Sequence, residues 1–301
     1  MSTAYWQQVR SAEMKVPTDR PLADLTAELT TMLGSTDPVE RDEFAYPILA
    51  TWISEGVYDD LLAGLGDGMT AGLTQGLGEA GTDSVFRRSF SALVLAECVQ
   101  RDNAESLVPP AKILDWGDRV TGWLVRERDT RGFVAGKGWA HAIAHGADAV
   151  GCLAGSPHFG LTELTVLLDV IADRILLQTP TPLTSGEPDR LAVATMSVLR
   201  RRLVPLRIIE PWLARITAAA TSAGGADHDP YAVTANPEAF LRALHIQVAF
   251  APEPIDVRAD PLPERARHDA EHRAAVELLE PRLQGVDAKR AELPRLYEWT
   301  E

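Results

Sequence analysis

Four residues that can ligate metals or transfer protons, His141, His145, Asp148 and Cys152, recur at helical spacing in one short segment of this 301-residue chain. At about 100° per residue their side chains fall within a narrow arc of a helix predicted over residues 138–154. Within that helix there is no Lys, Arg or Glu, and Ala and Gly flank the stripe. A solvated helix face normally carries such charges, so the pattern predicts a stripe that lines an internal crevice.

Three roles are compatible with the side chains of this stripe. Two neutral imidazoles and a carboxylate can bind a divalent metal ion that activates water, with His141, His145 and Asp148 as the ligands. They can equally form a hydrogen-bonded His–Asp pair that leaves one imidazole nitrogen as a general base. In the third interpretation these side chains only satisfy polar groups buried between helices.

A charged loop upstream extends the candidate site. Asp129 and Arg131 lead into a glycine-rich turn at residues 136–138, just before His141. They would lie at the mouth of the crevice, or form a surface ion pair that holds the loop.

Arg88 interrupts an otherwise core-forming helix that is rich in Phe. An unpaired guanidinium there would be costly, so we expect Arg88 to pair with a carboxylate from another helix or from the loop at residues 127–133. The candidate partners are Glu97, Asp129 and Asp148. Such an arginine would hold an anionic ligand or lock two helical hairpins together.

The elements that would position these residues are helices. Apolar residues recur at i, i+3, i+4 and i+7 along most of the chain, whereas alternating strand patterns are scarce. Short connections rich in Gly, Pro, Asp and Ser make successive helices antiparallel neighbours. The predicted fold is therefore all-α, an irregular stack of antiparallel helical hairpins similar to a HEAT-like α–α superhelix. The predicted helices span residues 21–33, 38–55, 57–77, 82–101, 109–128, 138–154, 161–178, 187–203, 206–223, 236–249 and 263–283.

Two parts of the chain are distinguished by their composition. Residues 1–250 are predicted to form the hairpin stack, and a proline-containing linker begins at Ala251. The charged helix that follows, within residues 251–301, is predicted to dock on the same domain.

The overall charge argues against several kinds of partner. The formal net charge is -14 and the sequence pI is about 5.0, so the field of the protein repels nucleic acids and anionic membranes. Cys98 and Cys152 are too few and too widely spaced for a disulfide framework. With no apolar leader and no run of about 18 apolar residues, the expected location is the cytoplasm. The sequence leaves the oligomeric state open.

Four stretches of the chain are similar to a known family. They are residues 41–47, 85–93, 129–148 and 236–242. At these residues the sequence resembles the bacterial family called domain of unknown function 2785, over residues 20–250, and the run at residues 141–148 is the most specific part. The resemblance implies a helical fold, and the family carries no assigned activity that could be transferred.

The leading functional hypothesis is a protein that binds a small or anionic ligand, or a peptide, in the polar crevice. The predicted ligand-binding residues are Arg88, Asp129, Arg131, Trp139, His141, His145 and Asp148. One alternative is a metal-assisted hydrolase that uses His141, His145 and Asp148. The other is a protein–protein interaction scaffold without catalysis.

The class and charge of the chain generate a first prediction. Circular dichroism is expected to show a helix-dominated spectrum, because strand patterns are scarce. Duplex DNA binding is expected to be negligible at physiological salt, because the acidic balance opposes phosphate contacts. A strand-rich spectrum, or DNA binding that weakens with added salt, would contradict this interpretation.

Overall fold

Helices account for nearly all regular structure in the described part of the chain, residues 3–222 and 229–250 of the computed structural model. This confirms the all-α class. The helices are α1 (Thr3–Ser11), α2 (Leu22–Met32), α3 (Tyr46–Ser54), α4 (Leu62–Gly72), α5 (Ser84–Glu105), α6 (Pro110–Arg126), α7 (Ala142–Gly155), α8 (Leu161–Leu176), α9 (Glu187–Arg200), α10 (Leu206–Ala220) and α11 (Pro230–Phe250). The helix predicted at residues 263–283, and its docking, lie outside the described residues.

Shorter elements complete the architecture. A π-helical segment, Val39–Ala45, runs directly into α3, and a 3₁₀ turn, Asp59–Leu61, precedes α4. Two short strands, β1 (Phe133–Val134) and β2 (Gly138–Trp139), pair as an antiparallel hairpin between α6 and α7. Across the described residues, no helix is both long enough and apolar enough to span a membrane.

The helices pack in two rows. In one row α3, α5, α7, α9 and α11 contact one another in that order, and in the other α4, α6, α8 and α10 do the same. Each helix of the second row also packs against the next helix of the first, as α4 does on α5 and α10 on α11. This alternation agrees with stacked helical hairpins, while the superhelical, HEAT-like geometry stays a prediction.

The first helix, α1, was not predicted because most of its residues are polar. It buries Trp6 and Val9, and the Trp6 indole donates a hydrogen bond to Glu28 at 2.8 Å. Two buried apolar side chains over nine residues produce too weak a periodic signal to be recognised without the surface they pack against.

The helix predicted over residues 138–154 begins later than expected, at Ala142. Gly136 and Gly138 have φ values of +75° and +79°, which close the β-hairpin and place Trp139 on a strand opposite Phe133. His141 then has φ +48°, a left-handed conformation just before the helix begins. The predicted positions of Trp139 and His141 on a helix surface are therefore wrong.

The β-hairpin is held by Arg41, a fully buried residue of the π-helical segment. Its guanidinium donates to the carbonyl oxygen of Lys137 at 2.7 Å and lies over the rings of Phe86 and Phe90, 4.2 and 4.9 Å from their centroids. A Cβ atom at Gly138 would approach this guanidinium to 3.0 Å. The hairpin is therefore fixed to the helical rows and not merely tethered to them.

A buried ion pair joins the start of α5 to the end of α6. Arg88 Nε and Nη2 donate to the two carboxylate oxygens of Glu127 at 2.6 and 2.9 Å, and both side chains are fully buried. Glu127 also accepts hydrogen bonds from the Trp123 indole and from the amides of Arg128 and Asp129. The expected pairing of Arg88 is confirmed, although its partner is none of the three candidates named from the sequence.

The remaining contacts of Arg88 explain its role. Its Nη1 donates to the carbonyl oxygens of Gln75 and Gly76 and to the hydroxyl of Ser84, all within 2.9 Å. Each nitrogen of this fully buried guanidinium already bonds an acceptor of the chain, so none is left to bind a ligand. Arg88 therefore locks helices together, and these contacts give no support to its predicted role as a ligand-binding residue.

Replacement of Glu127 by Gln tests this lock. The variant leaves Arg88 as an uncompensated buried charge, so we expect the free energy of unfolding to fall by about 3–5 kcal/mol. Asp115→Asn is the matched control, since it removes one partner of an exposed pair with Arg119 and should cost less than about 1 kcal/mol. Urea denaturation of both variants measures the difference, and equal losses would contradict a locking role.

Candidate functional site

His145 is buried on α7, and its hydrogen bonds determine its tautomer. Nδ1 lies 2.8 Å from the hydroxyl oxygen of Ser89, which itself contacts the carbonyl oxygen of Ala140. Because a carbonyl only accepts, Ser89 donates to Ala140, and His145 Nδ1–H donates to Ser89. The lone pair of the neutral ring is therefore on Nε2.

His141 has the opposite tautomer. Its Nε2 lies 3.0 Å from the carbonyl oxygen of Ser185, so this nitrogen donates and Nδ1 carries the lone pair of the neutral ring. Burial lowers the pKa of His141 and lowers that of His145 to about 3. At neutral pH both imidazoles are uncharged, and each offers one acceptor nitrogen.

A row of rings runs from the surface of the β-hairpin into the core. Phe133 meets Trp139 edge to face at 5.2 Å, and Trp139 stacks on His141 with a centroid distance of 4.2 Å and an interplanar angle of 24°. His141 meets His145 at 5.9 Å, and His145 meets Phe90 at 5.0 Å, both edge to face. Trp139 is 43% exposed, although one face of its ring is covered by the His141 ring.

Asp148 pairs with Arg190, which joins α7 to α9. Arg190 Nε donates to Oδ1 at 2.6 Å, and Nη2 contacts Oδ2, so the pair is bidentate. Burial raises the pKa of Asp148, while Arg190 and His141 act in the opposite direction. The charge of Asp148 and the His141 ring therefore influence one another's pKa.

A second polar pair lies close by. The Tyr46 hydroxyl donates to Glu97 at 2.8 Å, joining α3 to α5. Tyr46 interacts electrostatically with Asp148 and Cys152, and burial raises its pKa, as it raises that of the Cys152 thiol to about 12. The same row of helices therefore carries both polar pairs on one surface, which we call the polar face. Its members are Tyr46, Glu97, Trp139, His141, His145, Asp148, Cys152 and Arg190.

Asp129 and Arg131 do not belong to the polar face. Asp129 is buried, accepts a hydrogen bond from the Gly81 amide at 2.9 Å, and pairs with the Arg131 guanidinium. Arg131 also donates to the carbonyl oxygen of Thr82 at 2.6 Å. The two side chains hold their loop against the start of α5, as the ion-pair alternative expects, and the contacts give no support to a ligand-binding role.

The proposed metal ligands are near one another but are not arranged as a metal centre. In the ranges that the structure describes, no three His, Cys, Asp or Glu side chains are placed to hold a metal ion. His141 leaves the helix, and both oxygens of Asp148 are bound by Arg190. The geometry therefore gives no support to His141, His145 and Asp148 as metal ligands.

Two residues of the polar face, Tyr46 and Arg190, were missed from the sequence, as was Ser89, which bonds His145. Arg190 is 42 positions from Asp148 and Ser89 is 56 positions from His145, so no local pattern connects them. Tyr46 lies within residues 41–47, one of the stretches that resembles the family, which was its only signal in the sequence.

These observations define the class of the protein as an all-α fold in which two rows of helices and a short β-hairpin present a partly exposed polar face. Residues 73–246 match the family described as Protein of unknown function (DUF2785), and the chain belongs to that family. The match includes the β-hairpin and α5 to α9, with their contributions to the polar face, but not the stretch at residues 41–47. No curated protein and no solved structure matches the chain.

Buried His145 predicts a specific dependence of stability on pH. Its pKa is about 3 in the folded chain and about 6.5 when unfolded, so below pH 6.5 the unfolded state binds more protons. Its contribution to the free energy of unfolding is complete above pH 6.5 and should fall by about 2 kcal/mol between pH 7.5 and pH 5.

Denaturation curves for wild type and His145→Asn at several pH values measure this effect. Asn removes the titrating group while keeping a donor for Ser89, so the variant should lose much of the pH dependence. His158→Gln, in the loop between α7 and α8, is the matched control and should retain the wild-type slope. The same slope in His145→Asn and wild type would contradict burial of a neutral His145.

Proposed function

We propose that the polar face binds a small organic ligand or a peptide segment that carries hydrogen-bond donors. The observation that carries the proposal is the partly exposed indole of Trp139, which stacks on the His141 ring. A rigid, exposed aromatic ring beside fixed polar groups is a common feature of ligand sites.

Preorganisation supports binding at this position. Trp139 is held by its register opposite Phe133, by the stack on His141 and by Arg41, which bonds the neighbouring turn at Lys137. A ring that is already ordered loses little conformational entropy when a ligand stacks on it.

The hydrogen-bonding groups narrow the ligand class. His141 Nδ1 and His145 Nε2 offer lone pairs. The carboxylates of Glu97 and Asp148 add negative charge although Tyr46 and Arg190 already bond them, and the positive charge of Arg190 is offset by Asp148. Acceptors dominate, and the formal net charge of -14 acts in the same direction. This favours amines, amides and hydroxyl compounds over the anionic ligand considered from the sequence.

The same geometry makes hydrolysis the weaker candidate. An imidazole with a pKa near 3, as at His145, is a poor general base at neutral pH. A thiol with a pKa of about 12, as at Cys152, is a poor nucleophile. These values support binding over catalysis at the polar face.

Ligand-observed NMR with a library of amines, amino sugars, amino acid amides and dipeptides tests the proposal. We expect at least one of these classes to bind, and Trp139→Ala to weaken that binding about tenfold or more, since it removes the stacking surface. Leu161→Ala, which truncates an equally exposed apolar residue at the start of α8, should leave binding unchanged.

Two outcomes would contradict the proposal. One is a library without binders, and the other is a hit that binds Trp139→Ala as tightly as wild type. If instead only a folded partner protein is captured through Trp139, the scaffold alternative is the better interpretation.

A further inference from the structure

A crevice of about 590 Å³ lies between the loop that precedes α5, the end of α6 and the segment after α8. The residues that line it include Arg128, Thr130, Arg174 and Gln178, together with Glu127, whose carboxylate is already bonded by Arg88. It shares no lining residue with the polar face, so its chemistry is separate from the proposed function. We call it the arginine crevice.

Arg174 is a buried cation without a carboxylate of its own. It is 1% exposed, and its Nη1 donates to the main-chain oxygens of Glu127 at 2.8 Å and Leu124 at 3.5 Å. Its Nε is buried with no acceptor in the described part of the chain. No ion pair joins it to a carboxylate within residues 3–222 and 229–250.

The other fully buried arginines of the described ranges behave differently. Arg41 pairs with Asp42 at 2.8 Å, and Arg88 pairs with Glu127 at 2.6 Å. The carboxylate of Glu127 interacts electrostatically with Arg174, but its two oxygens already bind Arg88. Burial accordingly lowers the pKa of Arg174 to about 10. A buried guanidinium that is only partly compensated is costly, and an added anion would reduce that cost.

Arg128 supplies a second guanidinium to the same crevice. Its side chain is exposed and forms no ion pair within the described ranges, and its charge acts against the charge of Arg174. Two like charges are thus kept in one crevice of a chain whose formal net charge is -14. Thr130 and Gln178 add a hydroxyl and an amide that can donate to oxygen.

We infer that the arginine crevice binds an oxyanion group, phosphate or carboxylate, carried by a small organic molecule. Arg174 and Arg128 would contact the oxyanion, because guanidinium groups bind both kinds of anion through paired N–H donors. The volume exceeds that of a bare ion, which leaves room for the rest of the molecule.

Titration with inorganic phosphate and with succinate, at ionic strength held constant with chloride, tests this inference. We expect calorimetric binding of one of the two anions by wild type, and the tighter one identifies the oxyanion class. Arg128→Gln should weaken that binding about tenfold while leaving the fold intact, because its side chain is exposed. Arg174→Gln should abolish it, with circular dichroism reporting whether that variant folds.

Arg126→Gln is the matched control, since it removes an exposed arginine two positions away that bonds the carbonyl oxygen of Gly122 and does not line the crevice. It should leave binding within twofold of wild type. Binding of neither anion, or equal weakening by Arg126→Gln and Arg128→Gln, would overturn the inference. Trp139→Ala should retain anion binding, which separates this site from the polar face.

Discussion

Arg88 and Glu127 form a fully buried ion pair, and the segment that leads to the polar face starts from it. A buried carboxylate and guanidinium are tolerated only when further hydrogen bonds satisfy their remaining atoms. Here Glu127 accepts the amides of Arg128 and Asp129, which directs the chain out of α6. The loop that follows therefore leaves the core in one defined direction, towards the β-hairpin.

The β-hairpin positions the exposed part of the polar face. Glycines at positions 136 and 138 allow the tight reversal, and Arg41 anchors the turn from a distant segment. His141, in a left-handed conformation, then turns the chain into α7 so that its ring stacks on Trp139 and faces His145. A group of polar side chains is thus positioned by main-chain geometry as well as by helix packing.

The distribution of charge separates two regions of the molecule. On the polar face carboxylates and neutral imidazoles dominate, and Arg190 is neutralised by Asp148. In the arginine crevice two guanidinium groups lie without carboxylate partners among the described residues. The two proposed sites would therefore favour ligands of opposite character, and an acidic net charge alone would not have distinguished them.

Periodicity alone placed α6, α8 and α9 within a few residues of their observed ends, because each buries a continuous apolar stripe. It also singled out His145 and Asp148, since the absence of Lys, Arg and Glu around them marks a covered helix. Two-residue strands have no usable period, so the β-hairpin and the left-handed His141 were misassigned to a helix. The pairings of Arg88 with Glu127 and of Asp148 with Arg190 join residues about 40 positions apart, and only the packing of one helix on another brings such charges together.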